Sequence, residues 1–166
     1  MLKQVQHDGN GLVKARWLAL LLPAALLGGA LGSQYLGGLF PCEMCHWQRW
    51  PHYAALALAI LALAARNSPA SRILTTLAGL AIIVSGAIGV FHAGVEYGWW
   101  EGLTRCSASA AGGSGKDILA EIMATPMIRC DQVQWSLFGI SLAGWNAIFS
   151  IGGGSAILWL CLKPAR

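Results

Sequence analysis

The sequence predicts an all-α integral membrane protein: a single domain, residues 1–166, built as a four-transmembrane-helix bundle with two cysteine-bearing loops on its outer side. Three observations lead there. The composition is 56% hydrophobic and only 11% charged, where soluble domains average about 25% charged, and the mean hydropathy is +0.58. Residues 17–41, 50–65, 73–95 and 132–162 are free of Asp, Glu, Lys and Arg, and about 20 apolar residues suffice to cross roughly 30 Å of hydrocarbon as a helix. The cations are also unevenly placed. Lys3, Lys14, Arg16, Arg66, Arg72, Lys163 and Arg166 fall on one side of such a bundle, against Arg49, Arg105, Lys116 and Arg129 on the other, so the termini and the 66–72 turn are expected in the cytoplasm.

The first span is expected over about 15–34. Its apolar run is too long for a cleavable signal peptide and passes directly into polar sequence, so it counts as a span. The second, about 47–65, reaches spanning length only by starting near Trp47 and taking in Arg49, which puts that guanidinium at the interface. The third is expected over about 73–95. The fourth, about 136–162, is expected to start near Ser136, whose hydroxyl can cap a helix. The outer loops are then about 35–46 and 96–135. The longer one contains a Ser/Ala/Gly run at 107–115, which reads as flexible. An amphipathic pattern follows over 117–124 and stops at Pro126, the pattern of a short helix lying on the membrane surface or packed on protein. The net charge of +4 is scattered among apolar segments and forms no basic stripe, so nucleic acid is not an expected partner.

The chemistry lies in the cysteines. Cys42-Glu43-Met44-Cys45 places two sulfurs within bonding reach at the edge of the membrane, and thiolate formation by either one controls exchange with another disulfide. Cys106 and Cys130 lie in the longer outer loop, in the compartment where disulfides form and persist. Closing Cys106 to Cys130 would restrict the unfolded chain by roughly 3.4 kcal/mol, and closing the four-residue Cys42–Cys45 loop by only about 2 kcal/mol. The second pair is therefore readable as an inert staple or as a redox pair. Cys161, at the cytoplasmic end of the last span, reads as a small apolar filler. Arg49 falls one helical turn beyond Cys45, so the guanidinium and the helix N-terminus both favour a thiolate at Cys45. Trp47, Trp50 and Tyr53 read either as an aromatic rim for a flat, lipid-soluble electron acceptor or as an ordinary interfacial belt. His92, near the outer end of the third span, is placed to hydrogen-bond such an acceptor or to fill a polar cavity. His46 and His52 carry no assignment.

These residues resemble the DsbB family of bacterial disulfide-forming membrane proteins. The likeness rests on the Cys42-to-Arg49 segment, the run from Phe91 to Trp100, and Cys106 and Cys130 followed by the run from Trp135 to Asn146. It implies a bundle in the bacterial inner membrane, with redox-active periplasmic loops, that reoxidises a periplasmic thioredoxin-like oxidase of the DsbA type and passes two electrons to membrane quinone, ubiquinone or menaquinone. By the same resemblance Cys106 forms the mixed disulfide with the partner and Cys130 resolves it. Cys42 exchanges with the second loop, Cys45 is the thiolate beside the quinone, and Arg49 and His92 bind the quinone oxygens. Two other classes remain open at this point: a metal-handling protein using Cys42, Cys45 and His46 or His92 as soft ligands, and a non-enzymatic scaffold in which both disulfides are inert. A vitamin K epoxide reductase-like protein fits less well, because its redox pair sits on a later span.

Overall fold

The computed structural model describes residues 2–102 and 129–163, with side chains from residue 10 onward. Cys106, the Ser/Ala/Gly run and the short helix expected over 117–124 lie outside the described residues. The elements are α1 (Leu2–Tyr35), α2 (Glu43–Ala64), α3 (Ala70–Glu96), a two-strand hairpin of β1 (Ser136–Leu137) and β2 (Ile140–Ser141), and α4 (Leu142–Leu162). The helices form one bundle in which α3 packs on α2 and α4, and α1 lies against α2 and α4. Asn10–Tyr35, Ala70–Glu96 and Leu142–Leu162 are each long and apolar enough to cross a membrane. Helix α2, interrupted by Glu43, His46, Arg49 and His52, is less apolar, yet its 22 residues span about 33 Å at 1.5 Å per residue.

Many large side chains point out of the bundle, and alanines supply much of its interior. Leu21, Ile60, Val84, Ile148 and Trp159 are exposed, whereas Ala15, Ala19, Ala55, Ala59 and Ala78 are fully buried. In lipid, association gains little from burying leucine, so helices associate through close backbone approach at small residues. The seam between α3 and α4 has this construction. A Cβ on Gly86 would lie 2.7 Å from Ile151 Cγ1 and 3.1 Å from the Ile151 nitrogen, and one on Gly154 would lie 2.6 Å from Ile83 Cγ1 and 3.0 Å from the Gly79 carbonyl. At the end of the bundle remote from Cys42, arginines satisfy carbonyls that the helices leave free. Arg16 Nη2 donates to Arg66 O at 3.1 Å and Arg72 Nη1 to Cys161 O at 3.3 Å. Cys161 itself is buried in the apolar core.

The fourth helix begins at Leu142, six residues later than its expected start at Ser136. Phe138 (φ 53°) and Gly139 (φ 76°) both have left-handed backbones, as a two-residue hairpin turn requires, so 136–141 folds back on itself. The capping serine is instead Ser141, whose Oγ accepts from Gly144 N at 3.1 Å. A phenol fastens this hairpin to the end of α3: Tyr97 Oη donates to Gly139 O at 3.1 Å and accepts from Ser141 N at 2.9 Å. Beside it the Trp100 ring lies directly over Gly94, where any side chain would collide with it, stacks on Phe91, and donates from Nε1 to Phe91 O at 2.8 Å. The Phe91-to-Trp100 segment thus closes the outer end of the bundle.

Candidate redox site

The second helix starts at Glu43 with Cys42 as its N-cap, and the Cys42 sulfur accepts from Cys45 N at 3.3 Å. The i to i+3 spacing brings the two sulfurs to 2.9 Å, both as free thiols. Both precede the apolar part of α2. Cys42 is buried and Cys45 half-buried, packed with Met44, Val95, Phe91 and Cys130. The shared hydrogen bond, then burial, then the charge on Cys45 push the Cys42 thiol up, while accepting that hydrogen bond holds the Cys45 thiol below the usual thiol range against the opposing effect of burial. Of the two sulfurs, Cys45 is therefore the one that ionises first. The sequence assigned this effect to Arg49 and the helix N-terminus; the neighbouring thiol is the larger cause, and Arg49 contributes least.

The chain brings four of the expected residues together. Cys130, from the second outer loop, lies with Cys42 and His92 so that the two sulfurs and a ring nitrogen are all within 4.8 Å of one another. His92 Nε2 is 3.5 Å from Cys42 Sγ and 3.8 Å from Glu96 Oε1. Beside Cys130, Arg129 and Asp131 form an exposed two-point ion pair that holds the Asp131 carboxyl below its usual range. Of the other two expected residues, Arg49 lines the same site and Cys106 is among those not described.

Arg49 does not reach outward from the bundle as a headgroup anchor would. It is buried at 8% exposure and turned into the bundle, with Nη1 donating to Gln34 Oε1 at 2.6 Å and Nη2 to Ala30 O at 3.2 Å. Cys45, Arg49 and His92 all line one cavity of about 230 Å³, walled largely by apolar side chains of α1 and α4. The aromatic rim comes from Phe40, Trp135, Trp145 and Phe149. Trp47, Trp50 and Tyr53 are exposed on α2 and do not line the cavity, which leaves them the interfacial-belt reading. An apolar cavity with a guanidinium and a readily ionised sulfur in its lining suits a flat, lipid-soluble ring bearing oxygens.

Sequence reasoning did not assign four residues of this site. Gln48 and Asn146 form a buried amide pair, Asn146 Nδ2 donating to Gln48 Oε1 at 2.8 Å. His52 Nε2 meets Asn146 Oδ1 at 2.9 Å, and Gln34 holds Arg49. Polar side chains within otherwise apolar spans were the available signal.

Comparison with known proteins agrees with this arrangement. The chain is 33% identical over 164 residues to a disulfide bond formation protein B of Verminephrobacter eiseniae, covering 91% of this chain and 88% of that one. It is 30% identical over 147 residues to its counterpart in Marinobacter nauticus, covering 81% and 84%. A counterpart in Aromatoleum aromaticum is 33% identical over 135 residues, covering 75% and 77%. No solved structure gives a significant match. The family profile described as disulfide bond formation protein DsbB matches residues 14–160, and with the paired sulfurs set at the mouth of a membrane cavity, the chain belongs to the DsbB family.

Proposed function

We propose that this inner-membrane protein takes electrons from a periplasmic thioredoxin-like dithiol of the DsbA type through Cys106 and Cys130, hands them to Cys42 and Cys45, and delivers them to a quinone in the cavity beside Cys45 and Arg49. As a DsbB-family member it is a dithiol:quinone oxidoreductase that forms disulfides, and the DsbA–DsbB–quinone route is what keeps the bacterial periplasm oxidising. The single observation supporting this assignment of steps is the proximity of Cys130 and Cys42, sulfurs from two different loops within 4.8 Å.

The exchange runs as follows. The partner thiolate attacks Cys106 of the Cys106–Cys130 disulfide; the mixed disulfide forms and Cys130 leaves with the electron pair. The Cys130 thiolate attacks Cys42 of the Cys42–Cys45 disulfide, so that a Cys42–Cys130 bond forms and the electron pair departs on Cys45. The partner's second thiolate releases Cys106, which attacks Cys130, remakes the loop disulfide and frees Cys42 as a thiolate. Bound quinone supplies the two-electron acceptor that returns Cys42 and Cys45 to the disulfide. Arg49 presents positive charge to the quinone oxygens, the apolar walls exclude water, and low thiol basicity makes Cys45 a good leaving group.

The test is quinone reduction by the purified protein in lipid, with and without a reduced thioredoxin-like partner. Reduction should require the partner and cease when any of the four cysteines is replaced by serine. Full partner oxidation by a protein lacking both Cys42 and Cys45 would refute the relay.

A further inference from the structure

We propose that Gln48 and Asn146 are positioning residues that lock the His92 imidazole in its Nε2–H form, so that this N–H meets the Cys42 sulfur as it takes up negative charge. The inference rests on the exchange between Cys42 and Cys130 given above.

The proton positions follow from groups that can act in only one way. Gln48 Nε2 lies 3.3 Å from Met44 O, and Asn146 Nδ2 lies 3.3 Å from Ser85 O. A backbone carbonyl only accepts, so these contacts fix which end of each amide is nitrogen. Gln48 Nε2 is then the donor to His92 Nδ1 at 2.7 Å. A ring nitrogen that accepts carries no proton, so the His92 proton is on Nε2. Gln48 Oε1 is held by Asn146 Nδ2 at 2.8 Å, while Asn146 Oδ1 accepts from Ser150 Oγ at 3.0 Å and from His52 Nε2 at 2.9 Å. Ser85 Oγ donates to Gln48 O at 2.7 Å and braces the same turn. The chain has one direction throughout: His52 to Asn146, Asn146 to Gln48, Gln48 to His92, and His92 to the Cys42 sulfur.

The outward N–H has three acceptors around it: Cys42 Sγ at 3.5 Å, Glu96 Oε1 at 3.8 Å and the backbone of Cys130. Cys42 needs a donor most when Cys106 attacks Cys130. The Cys106–Cys130 bond forms, the Cys42–Cys130 bond breaks, and the electron pair stays on Cys42 beside Cys45, already a thiolate. Cys45 N is one donor to that sulfur, and His92 Nε2 supplies a second. The same tautomer opposes the soft-metal reading, because a histidine that ligates through Nε2 needs its lone pair there and its N–H on Nδ1.

The experiment is 15N NMR of histidine-labelled, reduced, full-length protein in lipid nanodiscs, with His92 identified by the signal lost in His92→Ala. The parent should give an Nε2–H neutral tautomer. In Gln48→Glu the carboxylate can only accept, so the proton should move to Nδ1. In Asn146→Asp, two residues removed from the ring, the Gln48 amide should turn over and move it likewise. Breakdown of a preformed Cys42–Cys130 disulfide should slow about tenfold in both, the loss of one hydrogen bond to a charged group. A parent with its proton on Nδ1, variants that both keep Nε2–H, or an unchanged breakdown rate after the tautomer has switched would overturn the proposal and leave the relay standing. Failure to form any Cys42–Cys130 disulfide would overturn both.

Discussion

Replacing Arg49 separates its two tasks, fastening α2 to α1 and presenting charge to the cavity. Two of its N–H groups are engaged with Gln34 Oε1 and Ala30 O, which leaves the rest of the guanidinium for a ligand in the cavity that it shares with Cys45. Arg49→Ala removes a charge-assisted hydrogen bond to the quinone, about 1.5–3 kcal/mol, or roughly 10- to 150-fold in apparent quinone affinity. It leaves Ala30 O satisfied, because Ser33 Oγ donates to it at 3.0 Å. Arg49→Lys keeps the charge on a flexible stem that cannot hold both α1 acceptors and still aim a donor into the slot, so roughly half that free energy is lost. The assay is the quinone dependence of turnover, paired with a single turnover of partner oxidation by pre-oxidised enzyme, which should stay near normal. If Arg49→Ala preserves the quinone dependence and lowers only thermal stability, Arg49 is merely a fastening. If it abolishes the single turnover, its role lies in folding or exchange.

Four further expectations follow from the same structure. A reporter fused after Arg166 should be active only in the cytoplasm and one inserted within 107–115 only in the periplasm; the reverse would put the cysteines in a reducing space. Cys130→Ser should accumulate a disulfide between Cys106 and the partner, seen on non-reducing gels, and trapping through Cys42 instead would reverse the assignment. Alkylation of reduced protein, mapped by mass spectrometry, should persist at Cys45 as pH falls, because its depressed pKa keeps it a thiolate; Cys42→Ala deletes the hydrogen bond, raises that pKa and should shift the Cys45 profile to higher pH. Gly154→Ala drives a methyl group into Ile83 and the Gly79 carbonyl and should cost about 1–3 kcal/mol, read as a lower unfolding temperature.

The four long helices, their membrane character and the approach of Cys42 to Cys45 were legible because each has a local signature: an apolar run, a charge asymmetry, a fixed spacing. The start of α4 was not, since the apolar pattern continues through 136–141 and only the left-handed backbones of Phe138 and Gly139 reveal the hairpin. The partners of Arg49 were not legible for a related reason. Hydropathy gives an arginine a depth, whereas its partners Gln34 and Ala30 lie fifteen and nineteen positions away. Asn146 reaches Gln48 across 98 positions, a separation at which no spacing rule operates.

That long reach bears on when the protein becomes competent during its synthesis. Cys42, Cys45, Gln48 and His92 all lie on segments translated and inserted before α4. Until α4 enters, Gln48 Oε1 lacks the Asn146 N–H that holds it, and its amide is free to present either end to the imidazole. The last span therefore completes the setting of the Gln48 amide. A chain interrupted before residue 146 carries the paired sulfurs without the amide that sets the His92 imidazole, and on the inference above it would release Cys42 about tenfold more slowly.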